Sequence, residues 1–356
     1  MTQTTGISKE GNRIVYLDIL RVMAVFFVIM LHISSANWHG VGVNTYEWRM
    51  MNLFDSMSRW CVPVQAMISG SLFLNRDISL KKIFGKYILR LGIAFIIWSF
   101  AYSFIDNIIV KRDLSGFFGA FIQGHFHLWF ILMIIGMYMI TPFLRRIIVD
   151  DHLTRYFVLL AIIVAVAIPH AVSIVKVFSA KYGDFAEEFI DKFHLKFVLG
   201  FTVYYMMGYH LSNITLSKKA TAMIYILGVI GFVSTIICTL FISVKLDKPI
   251  SVFYDNHSVN VFMEAVAVFV LVKNIADKKK ISKKAADVLS SLSKYSFGAY
   301  LVHAFILSVL SKFLHLNSLS FNPLLSVPLT AVITFIVSFG ISAVLNHIPV
   351  VKKYLV

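Results

Sequence analysis

Only two cysteines stand in 356 residues, Cys61 and Cys238, each alone in an apolar run. No disulfide framework and no paired-thiol metal site can be built from them, so both read as packing residues. Prolines number seven, and no stretch rich in Gly, Pro or Ser divides the chain, which argues against two linked domains. Charged residues make up 14% of the chain against 58% hydrophobic ones, and a soluble domain cannot hide that much apolar surface. There is no Gly-x-Ser-x-Gly elbow, and neither cysteine has a base beside it, so no activated serine or cysteine nucleophile is marked. No internal repeat stands out.

What is present is long apolar sequence, with a mean hydropathy of +0.80. Ten runs are long enough to cross roughly 30 Å of hydrocarbon. They lie near 14–36, 52–74, 87–110, 126–144, 156–177, 195–212, 221–243, 258–275, 292–313 and 327–350. The expectation is an all-α, polytopic integral membrane protein of about ten transmembrane helices. Tyr and Trp recur where runs meet loops, as interfacial anchors do. The net charge of +15 sits in alternate loops: Arg76, Lys81, Lys82 and Lys86; Arg145, Arg146 and Arg155; Lys218 and Lys219; and "DKKKISKK" (277–284). With Lys9, Arg13, Lys352 and Lys353 these form one basic side, whereas the opposite loops, such as 181–196, mix signs. Both termini are therefore expected in the cytoplasm, and the basic loops are read as meeting membrane lipids rather than nucleic acid. The first run carries Arg21 and His32 and lacks a cleavage pattern, so it reads as a retained span. The chain is taken as one domain, 1–356, with 1–13 and 351–356 as cytoplasmic tails. The connections 37–51, 111–125 and 178–194 are candidates for capping an outward-facing cavity.

Ionisable groups inside spans are costly and default to functional candidates. In "DILRVMAVFFVIMLH" (18–32), Arg21 and His32 are eleven positions apart. That is about 16 Å of helical rise and roughly 20° beyond three full turns, so both share one face. Asp18 lies one turn before Arg21, close enough to pair with it, and Ser35 lies one turn beyond His32. A neutral imidazole is cheaper to bury than a fixed charge and can take or give a proton near neutrality. The plainer alternative is a histidine bonded across helices with Arg21 reaching to headgroups.

Several stretches, in order, resemble the membrane acyltransferase family 3. "YLDILRVMAVFFVIMLH" looks like its first helix, with an arginine, ten residues, then a histidine. "SRWCVPVQAMISGSLF" (58–73), "HLWFILMIIGMYMITPFLRR" (127–146), "FTVYYMMGYHL" (201–211) and "LSKYSFGAYLVHAFIL" (292–307) resemble four further patterns. The region after the fourth helix lacks the paired acids of the better-known branch. It looks more like the branch that includes the enterobacterial common antigen O-acetyltransferase and the staphylococcal polysaccharide succinyltransferase.

The resemblance implies transfer of an acyl group, usually acetyl, from acyl-coenzyme A to a hydroxyl of an extracytoplasmic or lipid-linked glycan. It carries Arg21 and His32 over as the essential pair, in a bacterial cell membrane. The acyl-coenzyme A is a co-substrate, and no tightly bound cofactor is expected. Lys82, Lys86 and Arg90, spaced by four, would meet coenzyme A phosphates, or simply anchor the positive side. His32 is the candidate general base, and direct attack by the acceptor is simpler than passage through an acyl-histidine. Arg21, about 16 Å away, would grip the cofactor rather than orient His32. Arg59, one turn after Asp55, would stabilise an oxyanion or form a structural pair. Glu264 would pair with Arg59 or Arg21 or hold the His32 tautomer. Tyr300 and His303 share a helical face and would line the site, and Trp129 would stack on cofactor or substrate. His125 and His127 are poorly spaced for helical metal ligation, and no metal is expected. The rival reading is a transporter or flippase for a glycan or its lipid-linked precursor; no broken-helix pair in matching halves supports it.

Overall fold

A computed structural model describes residues 14–192, 200–278 and 281–356. Lys9, Arg13, the expected tail 1–13, the end of the 181–196 loop, the start of the sixth run and part of the 277–284 cluster lie outside the described residues. The described chain is helical, with no strand among the described residues. The helices are α1 (Val15–Ser35), α2 (Tyr46–Ser58), α3 (Cys61–Phe73), α4 (Leu80–Lys111), α5 (Leu114–Gln123), α6 (Trp129–Ile147), α7 (Asp151–Phe178) and α8 (Ala180–Asp191). They are followed by α9 (Thr202–Asn213), α10 (Lys218–Leu246), α11 (Val259–Lys278), α12 (Lys283–Phe313), α13 (Pro323–Leu345) and a short α14 (Pro349–Tyr354).

Among the described residues, eight helical stretches are long and apolar enough to cross a membrane: α1, α4, α6, α7, α10, Val252–Lys278, α12 and α13. Two of the ten expected runs take a different form. The second is made by α2 and α3 end to end, broken at Arg59–Trp60. Pro63 explains the break, because it offers no amide hydrogen to the carbonyl of residue 59 and its ring crowds that carbonyl. The sixth contributes the shorter α9. Proline also accounts for the wide π turns at Ile162–Ala167 within α7. They precede Pro169, which cannot bond the carbonyl of residue 165, and the widened backbone absorbs the loss.

Helix α1 sits at the centre, packed against α2, α3, α11, α12 and α13. Its buried side, including Leu20, Ala24, Val28 and Ile29, belongs to the core. Helices α3 and α9 cross at two glycines, Gly70 over the backbone of Tyr205 and Gly208 over that of Met67, so close that neither position has room for a methyl group. This crossing fixes α3 beside α1. The outer connections are structured. Trp38, Val43, Trp48, Met51 and Tyr254 bury one another in a small core where 37–51 folds into α2. Helix α5, inside 111–125, packs back along α4, with the Ser99 hydroxyl bonded to the Phe121 carbonyl at 2.5 Å. The segment 351–356, expected as a cytoplasmic tail, packs on the bundle. Arg90 donates to the Val356 carbonyl, and the Trp98 indole donates to that of Leu355 at 3.1 Å.

Candidate active site

One cavity of about 400 Å³ runs along the polar stripe of α1, within the range of ligand pockets. Arg21 and His32 both line it, with the apolar turns of Val25 and Val28 between them. At the Arg21 end, the guanidinium donates to the Ser293 hydroxyl of α12 at 2.8 Å. It lies 3.7 Å from the carboxylate of Asp18, which is buried behind it. Tyr138 and Ser296 also face this part of the cavity wall. A guanidinium held by a buried acid and a hydroxyl is a preorganised anion or amide grip.

Arg59 enters the cavity from the break between α2 and α3. Its guanidinium is 2.5 Å from the Asp55 carboxylate, donates to the Tyr254 carbonyl at 3.3 Å and lies 4.1 Å above the Tyr254 ring. Gln65 and Ser69 line the same wall from α3, the helix that the glycine crossing holds in place. Trp129 lines the cavity from the start of α6, its indole tilted against Phe201 at 5.7 Å.

His32 is surrounded by aromatic rings. His303 of α12 stacks on it with centroids 5.3 Å apart, and Phe126 meets it edge-on at 5.0 Å. Tyr300, one turn before His303, lines the cavity and donates its hydroxyl to the His127 carbonyl. His127, a cavity-lining residue that helical spacing rules passed over, stands on the loop between α5 and α6. That loop opens with Gly124 in a left-handed turn (φ +77°), and the Tyr102 ring stacks on His125 at 4.2 Å. On an irregular loop an i, i+2 pair can point the same way, so the helical objection to His125 and His127 does not hold there. Burial holds both imidazoles below the ordinary histidine range, which keeps them neutral.

The other expected site residues stand apart from the cavity wall. Ser35 donates to the main-chain carbonyl of His32 at 3.4 Å, not to its ring. Glu264 meets the Thr235 hydroxyl at 2.5 Å, beside Asn260, which donates to the same hydroxyl at 2.7 Å. Arg90 borders the cavity, with its guanidinium over Phe297, a lining residue, at 5.8 Å. Lys82 and Lys86 are exposed. No group of three or more metal-ligating side chains occurs among the described residues.

An acyl transfer needs a base, a stabiliser for the tetrahedral oxyanion and two substrates in register. The cavity offers two imidazoles, two guanidiniums and several hydroxyl and amide donors. The chain matches a family model described as an acyltransferase domain over residues 14–344. No curated protein and no solved structure matches it.

Proposed function

The chain belongs to that acyltransferase family, and we propose that it moves an acyl group, acetyl first among candidates, from acyl-coenzyme A to a hydroxyl of a cell-surface or lipid-linked glycan. The observation that carries this reading is the shared cavity: Arg21 and His32, about three turns apart on α1, open into one space. The separation suits an elongated thioester whose pantetheine arm lies along Val25 and Val28. Arg21 grips that arm or its phosphate end, and Arg90 adds a second cation at the border of the cavity. Trp129 packs on the cofactor or the sugar.

In this mechanism the acceptor hydroxyl attacks the thioester carbonyl beside His32. The imidazole takes the hydroxyl proton as the oxygen–carbon bond forms and the carbon–sulfur bond breaks. Arg59, fixed by Asp55 and Tyr254, faces the same space and stabilises the oxyanion. His303, stacked on the His32 ring, and Phe126, set edge-on to it, restrain the imidazole at the cavity wall. The likeness of 127–146 to the branch acting on enterobacterial and staphylococcal surface polysaccharides supports a polysaccharide acceptor and a bacterial cell membrane as the site of action.

The test is thiol release from acetyl-coenzyme A by the purified protein in the presence of membrane glycans. His32→Ala should lower the rate by about 10²–10⁴-fold, the usual worth of a positioned base. Glycan movement across the membrane without thiol release would replace the enzyme reading with a transporter.

A further inference from the structure

The His32 imidazole is one of four that meet where α1, α12 and the α5–α6 loop converge. His303 stacks on His32, His127 stands edge-on to His303 with centroids 5.1 Å apart, and His125 follows. The Nδ1 atoms of His125 and His127 are 2.8 Å apart. The Nε2 of His125 lies 3.6 Å from Oδ2 of Asp106, whose side chain is 35% exposed.

The partners fix where the protons sit. His303 turns Nδ1 to the Tyr300 carbonyl at 2.5 Å; a carbonyl only accepts, so Nδ1 carries the hydrogen and Nε2 is a bare lone pair. His125 turns Nε2 toward the Asp106 carboxylate, 3.6 Å away and beyond direct hydrogen-bond distance, and the negative charge favours the hydrogen on that nitrogen, leaving Nδ1 to accept. His127 must then donate from Nδ1, which leaves its Nε2 bare as well. Both bare nitrogens are buried without a close hydrogen-bond partner, the Leu301 carbonyl being the nearby acceptor at His127, although buried polar atoms are nearly always paired. His127 is 2% exposed and shares the cavity with His32. The nearby tyrosines are committed elsewhere, Tyr102 to the Leu301 carbonyl and Tyr300 to that of His127. The neutral cluster therefore presents an unused proton acceptor next to the base.

We propose that His127, His125 and Asp106 carry the proton that His32 takes from the acceptor hydroxyl out of the cavity to the surface beside Asp106. This rests on the acyl-transfer reading above. The acceptor oxygen bonds to the acyl carbon, the carbon–sulfur bond breaks with its electron pair on sulfur, and the hydroxyl proton passes to His32. His32 and His127 line the same cavity without touching, so His32 hands that proton to Nε2 of His127 through water in the cavity. His127 releases its Nδ1 proton to Nδ1 of His125, and His125 releases its Nε2 proton to Asp106, which gives it to water. The thiolate forms beside His32, one bond from the acyl carbon, leaves with the coenzyme past Arg21, and takes a proton from water as it departs. One proton is taken up on that side and one leaves beside Asp106, and the products are an ester and a thiol. Rotation leaves each hydrogen on its own nitrogen, so the rings return to their starting tautomers by turning over and exchanging protons with water. His303 lies off this path, since its second nitrogen faces a carbonyl that cannot take a proton.

The experiment measures thiol release in membrane vesicles that contain the full chain and its native glycans, supplied with acetyl-coenzyme A. His125→Ala should slow the reaction about tenfold, the low end of what a positioned proton-transfer group contributes, with the KM for acetyl-coenzyme A unchanged. Added imidazole should restore the rate, which a purely structural loss would not allow. Asp106→Asn, at a partly exposed position, provides the second variant and should show a smaller loss rescued in the same way. Wild-type rates in both variants, or losses that imidazole leaves untouched in protein of unchanged thermal stability, overturn the relay. A wild-type protein that releases no thiol instead overturns the acyl-transfer reading beneath it.

Discussion

Replacing Gly208 with alanine tests the helix crossing that shapes the cavity. A methyl group at this position would stand 2.5 Å from both the Cα and the carbonyl carbon of Met67, and nearer still to its carbonyl oxygen. Ordinary contacts begin at 3.4 Å, so α9 and α3 must part by about 0.9 Å or more. The obstruction is backbone, which cannot rotate out of the way as a side chain can. Overpacking of this kind costs on the order of 1–3 kcal/mol. The displacement also reaches Gln65 and Ser69 on α3, and a shift near 1 Å in a catalytic site can cost about 10²-fold in rate. Gly340 on α13 is the matched control, because an added methyl group there would meet open space. At that position alanine should be neutral or stabilise by about 0.5–1 kcal/mol through its lower backbone entropy. Thermal unfolding in detergent, followed by tryptophan fluorescence, distinguishes the two. If Gly208→Ala melts and turns over like the wild type, the close crossing of α3 and α9 is wrong.

Asp55→Ala should destabilise the protein by about 3–5 kcal/mol, because it strands the Arg59 charge beside a buried site; Asp55→Leu with Arg59→Met should recover part of the loss in the same melting assay. Lys82→Ala and Lys86→Ala, both exposed and off the cavity wall, should leave the KM for acetyl-coenzyme A nearly unchanged, whereas Arg21→Ala should raise it about tenfold or more in steady-state kinetics. The Ser115 hydroxyl, with the amides of Gly116 and Ser115, holds the Asp113 carboxyl below its usual range. A depressed folded-state value means this cap of α5 is in force above the ordinary carboxylate pKa and is lost as pH falls through the lower, folded one. Amide exchange over 114–117, corrected for its intrinsic pH dependence, should therefore accelerate below about pH 4, and Asp113→Ala should abolish that acid step.

The polar stripe of α1 was legible because helical periodicity alone sets it: eleven residues bring Arg21 and His32 to one face whatever surrounds them. Tyr300 and His303, three apart on α12, were legible for the same reason. The partner of Glu264 was not, since the choice among Thr235, Arg59 and Arg21 depends on how α10 and α11 pack, a long-range matter that no local pattern records. His127 was not legible as a cavity residue, because on a loop helical spacing does not say where a side chain points. Gly124, which opens that loop in a left-handed conformation, was the local signal that the helical rule had lapsed. The break at Arg59–Trp60 could have been read from Pro63, four residues on. The packing of 351–356 against Arg90 and Trp98 had no such marker.

In the proposed reaction the cavity joining Arg21 and His32 transfers an acyl group to a glycan. Its most direct test is the mass of surface glycans from cells producing either the wild-type chain or His32→Ala at equal membrane abundance. The wild type should add one acyl increment per modified sugar, and the variant should leave the glycans unmodified. Equal acylation in both would contradict the account.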